Sequence, residues 1–225
     1  MSRPMDAGQF LRDVTKHVMT VKRDDGMYRH IRYAQPENSN MWFDLVTWPG
    51  VLTIHGDMGT WTFSRVPDMF TFFRDHKLRV NHSYWAEKLQ HGTHGGRDGA
   101  RVWSDDLFRD QLRDSVKDSG LEGDDLTAVM DALEEDVLRQ DNKYELLIAA
   151  RDFSCKIPSR ESERYGKFQF DELPDGKEYA YHFSWCLYAI VWGIQQYDGR
   201  DHQTTTEVSG SLAGGNAGAD LQKEG

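Results

Sequence analysis

Trp42-Phe43-Asp44-Leu45-Val46-Thr47-Trp48, Pro49-Gly50, Val51-Leu52-Thr53-Ile54-His55, Gly56-Asp57-Met58-Gly59, Thr60-Trp61-Thr62-Phe63-Ser64: this stretch spells three strands and two turns. Aromatic and β-branched residues suit a pleated, half-buried surface. Pro-Gly fits the central positions of a type II turn, and Gly-Asp-Met-Gly supplies the backbone freedom for a second reversal. The order predicts an antiparallel meander. Trp61 and Phe63 fall on one face and Thr60, Thr62 and Ser64 on the other, as when one side of a sheet is buried.

Upstream, Gln9 to His17 predicts a short helix. Val18 to Val21 and Tyr28 to Tyr33 predict two more strands about the turn Asp24-Asp25-Gly26, and Gln35 to Asn40 a polar loop. Downstream, Pro67 as a first helical residue with Met69, Phe70 and Phe73 predicts a short helix over the sheet. Tyr84, Trp85 and Leu89 predict another. His91 to Gly99, with four glycines, reads as an exposed loop.

The second half has a different character. Ser104 with Asp105 and Asp106 marks a helix start, with Phe108, Leu112 and Val116 on one face. Gly120 to Gly123 breaks it. Asp124 or Asp125 then caps a second helix with the stripe Leu126, Met130, Leu133 and Val137. Residues 142–151 extend or follow this hairpin, and Ile157 to Gly176 reads as irregular connection. Tyr179 to Tyr197 is nearly all apolar and predicts one buried helix, too short for a bilayer. Beyond Gly199 no periodicity remains, so 199–225 is expected to be a disordered tail. The expected fold class is α+β, as one domain over 1–198.

Charge is the most uneven property. Residues 1–103 carry 14 basic and 11 acidic side chains, residues 104–141 carry 4 and 13, and residues 142–225 carry 9 and 13. Nearly all of the net charge of −10 therefore sits in the helical hairpin at about 104–141. Thirteen carboxylates so placed create a field like that of a phosphate backbone. They also argue against direct DNA binding there. The ordinary alternative is a solvated helix face.

Chemical motifs are sparse. Walker, Gly-x-Gly-x-x-Gly, Gly-x-Ser-x-Gly and His-Glu-x-x-His patterns are missing from the sequence. His76, His82, His91 and His94 are the nearest thing to a metal set and read better as solvated histidines, so no metal or cofactor is expected. His55 and Asp57 flank Gly56 at a strand end, where an acid–base pair would sit with Asp44 across the sheet. The competing reading is a turn aspartate satisfying backbone amides. Cys155 and Cys186 lack Cys-x-x-Cys spacing and read as reduced thiols, Cys186 as a packed one. With no secretory or membrane signal, the expected address is cytoplasmic.

The run Trp42 to Gly50, with Gly56 to Thr60, Asp68 to Phe73 and Phe183-Ser184-Trp185-Cys186, resembles small uncharacterised proteins encoded by tailed phages and prophages. The resemblance implies a genomic setting, the host bacterial cytoplasm, and carries over no catalytic residues. In that setting small acidic proteins inhibit nucleases, restriction enzymes or CRISPR complexes as DNA mimics or assembly blockers. The expected function is thus a stoichiometric anti-defence binder, of anti-restriction or anti-CRISPR type. Its partner would be a host defence protein or nucleoprotein complex, met through Asp124, Asp125, Asp131, Glu134, Glu135 and Asp136. The alternatives are a nucleotide- or nucleic-acid-processing enzyme using His55 and Asp57, and a phage structural or regulatory protein with homodimer formation as its observable.

Overall fold

Six strands lie within the first hundred residues of the computed structural model, which describes residues 5–93, 98–160 and 166–211, with side chains through residue 200. They are β1 (Val18–Asp25), β2 (Tyr28–Gln35), β3 (Asn38–Trp48), β4 (Val51–Gly56), β5 (Gly59–Ser64) and β6 (Leu89–Gly92). Each pairs antiparallel with the next in sequence order, so the sheet is the expected meander. Gly26, Gly50 and Gly59 take positive φ at its turns. The helices of this unit are α1 (Ala7–Asp13), α2 (Met69–Phe73), α3 (His82–Ala86) and a long helix that returns at residue 181. The protein is α+β.

Several boundaries differ from the sequence reading. The expected loop at Gln35–Asn40 is a tight turn, since Gln35 pairs with Asn38 and Glu37 has φ of 64°. Pro67 precedes a helix whose N-cap is Asp68, its carboxylate accepting from the Phe70 amide at 3.0 Å. Leu89 and His91 belong to β6 rather than to a helix and a loop. A register shift opposite Thr62 and Phe63 hides that strand's alternation, and its regularity comes from the β5 backbone. His94 lies outside the described residues.

Contacts divide the described residues into two compact units, one formed by residues from Met5 to Ala100 together with those from Ala180 onward, the other by residues 101–179. In the first, the last helix, Tyr181–Ser211, lies on one face of the sheet. Ile31, Tyr33, Phe43, Leu45, Leu52, Ile54, Trp61 and Phe63 are buried from the strands, and Phe183, Leu187, Ile190, Val191 and Ile194 from the helix. Trp61 meets Phe183 edge-on with centroids 5.0 Å apart. Each such side chain, fully buried, stabilises by about 1.5–3 kcal/mol. Gly193 sets the approach of the helix: a Cβ there would lie 2.8 Å from Leu45 and 3.2 Å from the Tyr33 ring. The Tyr33 hydroxyl donates to the Gly193 carbonyl at 2.6 Å. The helix runs on past Gly199, where a structureless tail was expected to begin; a helical glycine costs only about 1 kcal/mol relative to alanine. Residues 212–225 lie outside the described residues.

The 101–179 unit holds β7 (Arg101–Trp103), α4 (Asp105–Lys117), α5 (Gly123–Asp136), α6 (Lys143–Asp152), β8 (Cys155–Lys156), β9 (Lys167–Phe168) and β10 (Lys177–Tyr179); the long helix of the first unit is therefore α7. Ser104 caps α4 and Phe108, Leu112 and Val116 are buried, as expected. On α5 the buried line is Val129 and Leu133, continued by Val137, with Leu126 and Met130 on its flank. The cap of α5 is Glu122, so Asp124 and Asp125 sit in its first turn, where the helix dipole favours them. Arg109 donates to the carbonyls of Leu138 and Gln140 just past the end of α5, tying the two helices together. Residues 157–176, expected to be irregular, contribute β9 and the ring cluster of Phe168 and Phe170 on Phe153.

Candidate functional site

The face of the sheet turned away from α7 carries a polar and aromatic cluster. Register places Thr20, Arg32, Asp44, His55 and Thr60 in one row across five strands. His30, Val46, Thr53, Thr62 and His91 form the next row. Tyr28 and Trp48 share this face by alternation, because β2 and β3 send successive side chains to opposite sides.

Asp44 lies at the centre of the first row and is only 8% exposed. Its Oδ2 is 3.1 Å from His30 Nε2 and 3.6 Å from an Arg32 nitrogen. A carboxylate only accepts, so His30 donates from Nε2. The other oxygen, Oδ1, is buried and has no hydrogen-bond partner. Arg32 stacks its guanidinium 4.2 Å over the Trp42 ring, and Trp42 meets His55 edge-on at 5.3 Å. His55 Nδ1 is 2.8 Å from Thr60 Oγ1.

His55 and Asp57 therefore have separate partners. The Asp57 carboxylate accepts from the Met41 amide at 2.8 Å, and its own amide donates to the Trp42 carbonyl, so it braces the irregular stretch of β3 in which Met41 has φ of 56°. His55 lies instead across from Asp44. His30 and Arg32 did not stand out in the sequence, although Tyr28, His30 and Arg32 alternate with Arg29, Ile31 and Tyr33 at period two. Among the described residues, no three of His, Cys, Asp and Glu are grouped to hold a metal ion. His76 is exposed and burial lowers the pKa of His82. Burial raises the thiol pKa of Cys186 and, with help from Asp136, that of Cys155.

The six carboxylates singled out in the acidic helices divide by environment. Asp125 accepts from the Ser159 amide at 2.9 Å and from its hydroxyl, which lowers its pKa. Glu134 forms a two-pronged pair with Arg113 at 2.7 and 3.2 Å, and that bond lowers its pKa too. Glu135 reaches Arg139 only at 3.7 Å. Asp124, Asp131 and Asp136 are exposed, with no ion pair among the described residues. With the apolar side of α4 and α5 used up in the unit's own core, these charges are held at fixed helical spacing.

No helix among the described residues is long and apolar enough to cross a membrane. No protein-family model, curated protein or solved structure matches the chain.

Proposed function

We propose that the chain is a stoichiometric, non-enzymatic inhibitor that places the acidic helices α4 and α5 against the basic, nucleic-acid-binding surface of another protein. The observation that carries this reading is the disposition of Asp124, Asp131, Glu135 and Asp136. They are exposed and held at helical spacing, and among the described residues only Glu135 of these four has a cation near it, at a distance worth little in water. Desolvating such carboxylates is useful only against a partner that supplies cations, and opposed fields of this kind set association rate and partner choice. The resemblance to phage-encoded proteins supports a host defence protein or nucleoprotein complex, of restriction or CRISPR type, as the partner.

The test is capture of partners from a bacterial lysate by the tagged protein, repeated with Asp124→Asn, Asp131→Asn, Glu135→Gln and Asp136→Asn combined. This variant leaves the Asp125 and Glu134 bonds intact, so the unit should keep its circular dichroism. At roughly 0.4 kcal/mol per charge, capture should weaken about tenfold, and raised salt should weaken it similarly in the parent. Undiminished capture by the folded variant would remove the acidic helices from the interaction.

A further inference from the structure

We infer that the face of the sheet opposite α7 binds single-stranded nucleic acid. This inference rests on the first unit alone and does not depend on the role of the acidic helices.

Three observations converge on it. Tyr28 and Trp48 are 46% and 42% exposed on this face, and Trp42 is half-buried on the same face towards the other end of β3. Rings on a rigid sheet are stacking surfaces for unpaired bases, which offer a π-face whatever their identity. The cations are also suitably held. Arg23 lies 5.4 Å from the Tyr28 ring and Arg32 4.2 Å from Trp42. Their carboxylate contacts, to Asp25 at 3.3 Å and Asp44 at 3.6 Å, are long, and the arginine side chains are 61% and 40% exposed. Such pairs exchange readily for a phosphate, which an arginine contacts with two parallel N–H bonds. His30, His55 and His91 add donors on the same face.

The third observation selects among ligands. Asp44 Oδ1 is a buried acceptor without a partner, and an orphaned carboxylate oxygen is costly. A ligand that brings a hydrogen-bond donor relieves it. A free phosphate brings only a further negative charge to it, whereas cytosine, adenine and guanine present an exocyclic amino group; aspartate accepts from that of cytosine, at a position where thymine carries a carbonyl oxygen. Arg32, with its side chain 40% exposed, is the group that must move to admit the base. Cytosine-rich strands should therefore be preferred to thymine-rich ones.

The experiment is fluorescence anisotropy of the full chain against labelled oligo-dC, oligo-dT and a duplex of equal length, at low and moderate salt. The expected result is binding of oligo-dC at least about threefold tighter than oligo-dT, with the duplex weakest. Two arginine–phosphate contacts give a log–log salt slope of about −1.4. Tyr28→Ala with Trp48→Ala should lose at least about tenfold in affinity while keeping the parent's circular dichroism. Asp44→Asn should narrow the preference for oligo-dC. The four-charge variant of the acidic helices should bind at least as well as the parent, so failure here and failure of the inhibitor reading remain separate. Three results would overturn the inference: no single strand bound by the parent; affinity unchanged in the folded Tyr28/Trp48 variant; or that variant losing a protein partner while the parent binds no oligonucleotide.

Discussion

The two units handle charge in opposite ways. The sheet unit, including the terminal residues assigned to it, has 15 basic and 16 acidic side chains, whereas residues 101–179 have 12 and 21. In the sheet unit, arginines are built into the fold. Arg29 grips Asp68 at 2.8 and 3.1 Å while stacking 4.5 Å over Phe70, and Arg74 grips Asp198 at 2.7 and 3.0 Å. In the acidic unit, Lys117–Asp114, Arg113–Asp110 and Arg139–Glu135 are exposed pairs three or four residues apart on single helices. Such pairs contribute about 0–1 kcal/mol each. Arginine also joins helices in the acidic unit, through Arg109 and Arg113, but there most carboxylates remain outward-facing, so the two units should respond differently to loss of a charge.

The largest effect should come from backbone packing in the sheet. A Cβ on Gly56 would lie 2.2 Å from the Trp42 carbonyl oxygen and 2.8 Å from Phe43 Cα. Backbone cannot swing aside as a side chain can, so Gly56→Ala should cost about 3 kcal/mol or more in urea unfolding. A smaller loss would mean that β3 and β4 shift register at little cost.

Next, the two kinds of arginine can be set against each other. Arg29→Met keeps the stem on Phe70 but strands the Asp68 carboxylate, whose side chain is 28% exposed; we expect a loss of about 1–3 kcal/mol. Arg113→Met, facing a half-exposed Glu134, should cost about 0–1 kcal/mol. Equal losses would break the contrast.

The smallest effect is in acid. Burial alone would raise the Asp68 pKa, but the bonds from Arg29 and the Phe70 amide prevail and lower it below its ordinary 3.8. A depressed carboxylate contributes stability that is present above its unfolded value and lost as pH falls through the folded one. Stability should therefore decline below about pH 4, and Asp68→Asn, which retains the N-cap, should flatten part of that decline. A variant with the parent's acid profile would assign the decline to other groups.

Legibility in the sequence followed locality. The β3–β5 meander was readable because Pro49-Gly50 and Gly56 to Gly59 announce their turns and the strands alternate between them. The acidic helices were readable from composition and spacing: Leu133 and Val137 are buried as expected, although Val129, rather than Leu126 and Met130, completes the buried line of α5. β6 was not, since its few residues owe their extended shape to a neighbour distant in sequence. The cluster around Asp44 was hardest to see. His30, Arg32, Asp44 and His55 lie on three strands and meet only through register, which no local pattern encodes. The sequence pointed to His55 and Asp57 because they are neighbours in the chain, whereas the fold pairs His55 with Thr60 and Asp57 with the Met41 amide.

The return of α7 to the sheet has a consequence for synthesis. The meander is complete once residue 92 has been made, yet the helix that covers its apolar face begins at Tyr181, after the whole 101–179 segment. At about 5–20 residues per second, a ribosome needs roughly 4–16 s to cross that interval. Throughout it Phe43, Leu45, Trp61 and Phe63 lack their helical cover, so the nascent chain is a natural client for a chaperone. Truncation anywhere in the second unit would leave the sheet permanently in that state.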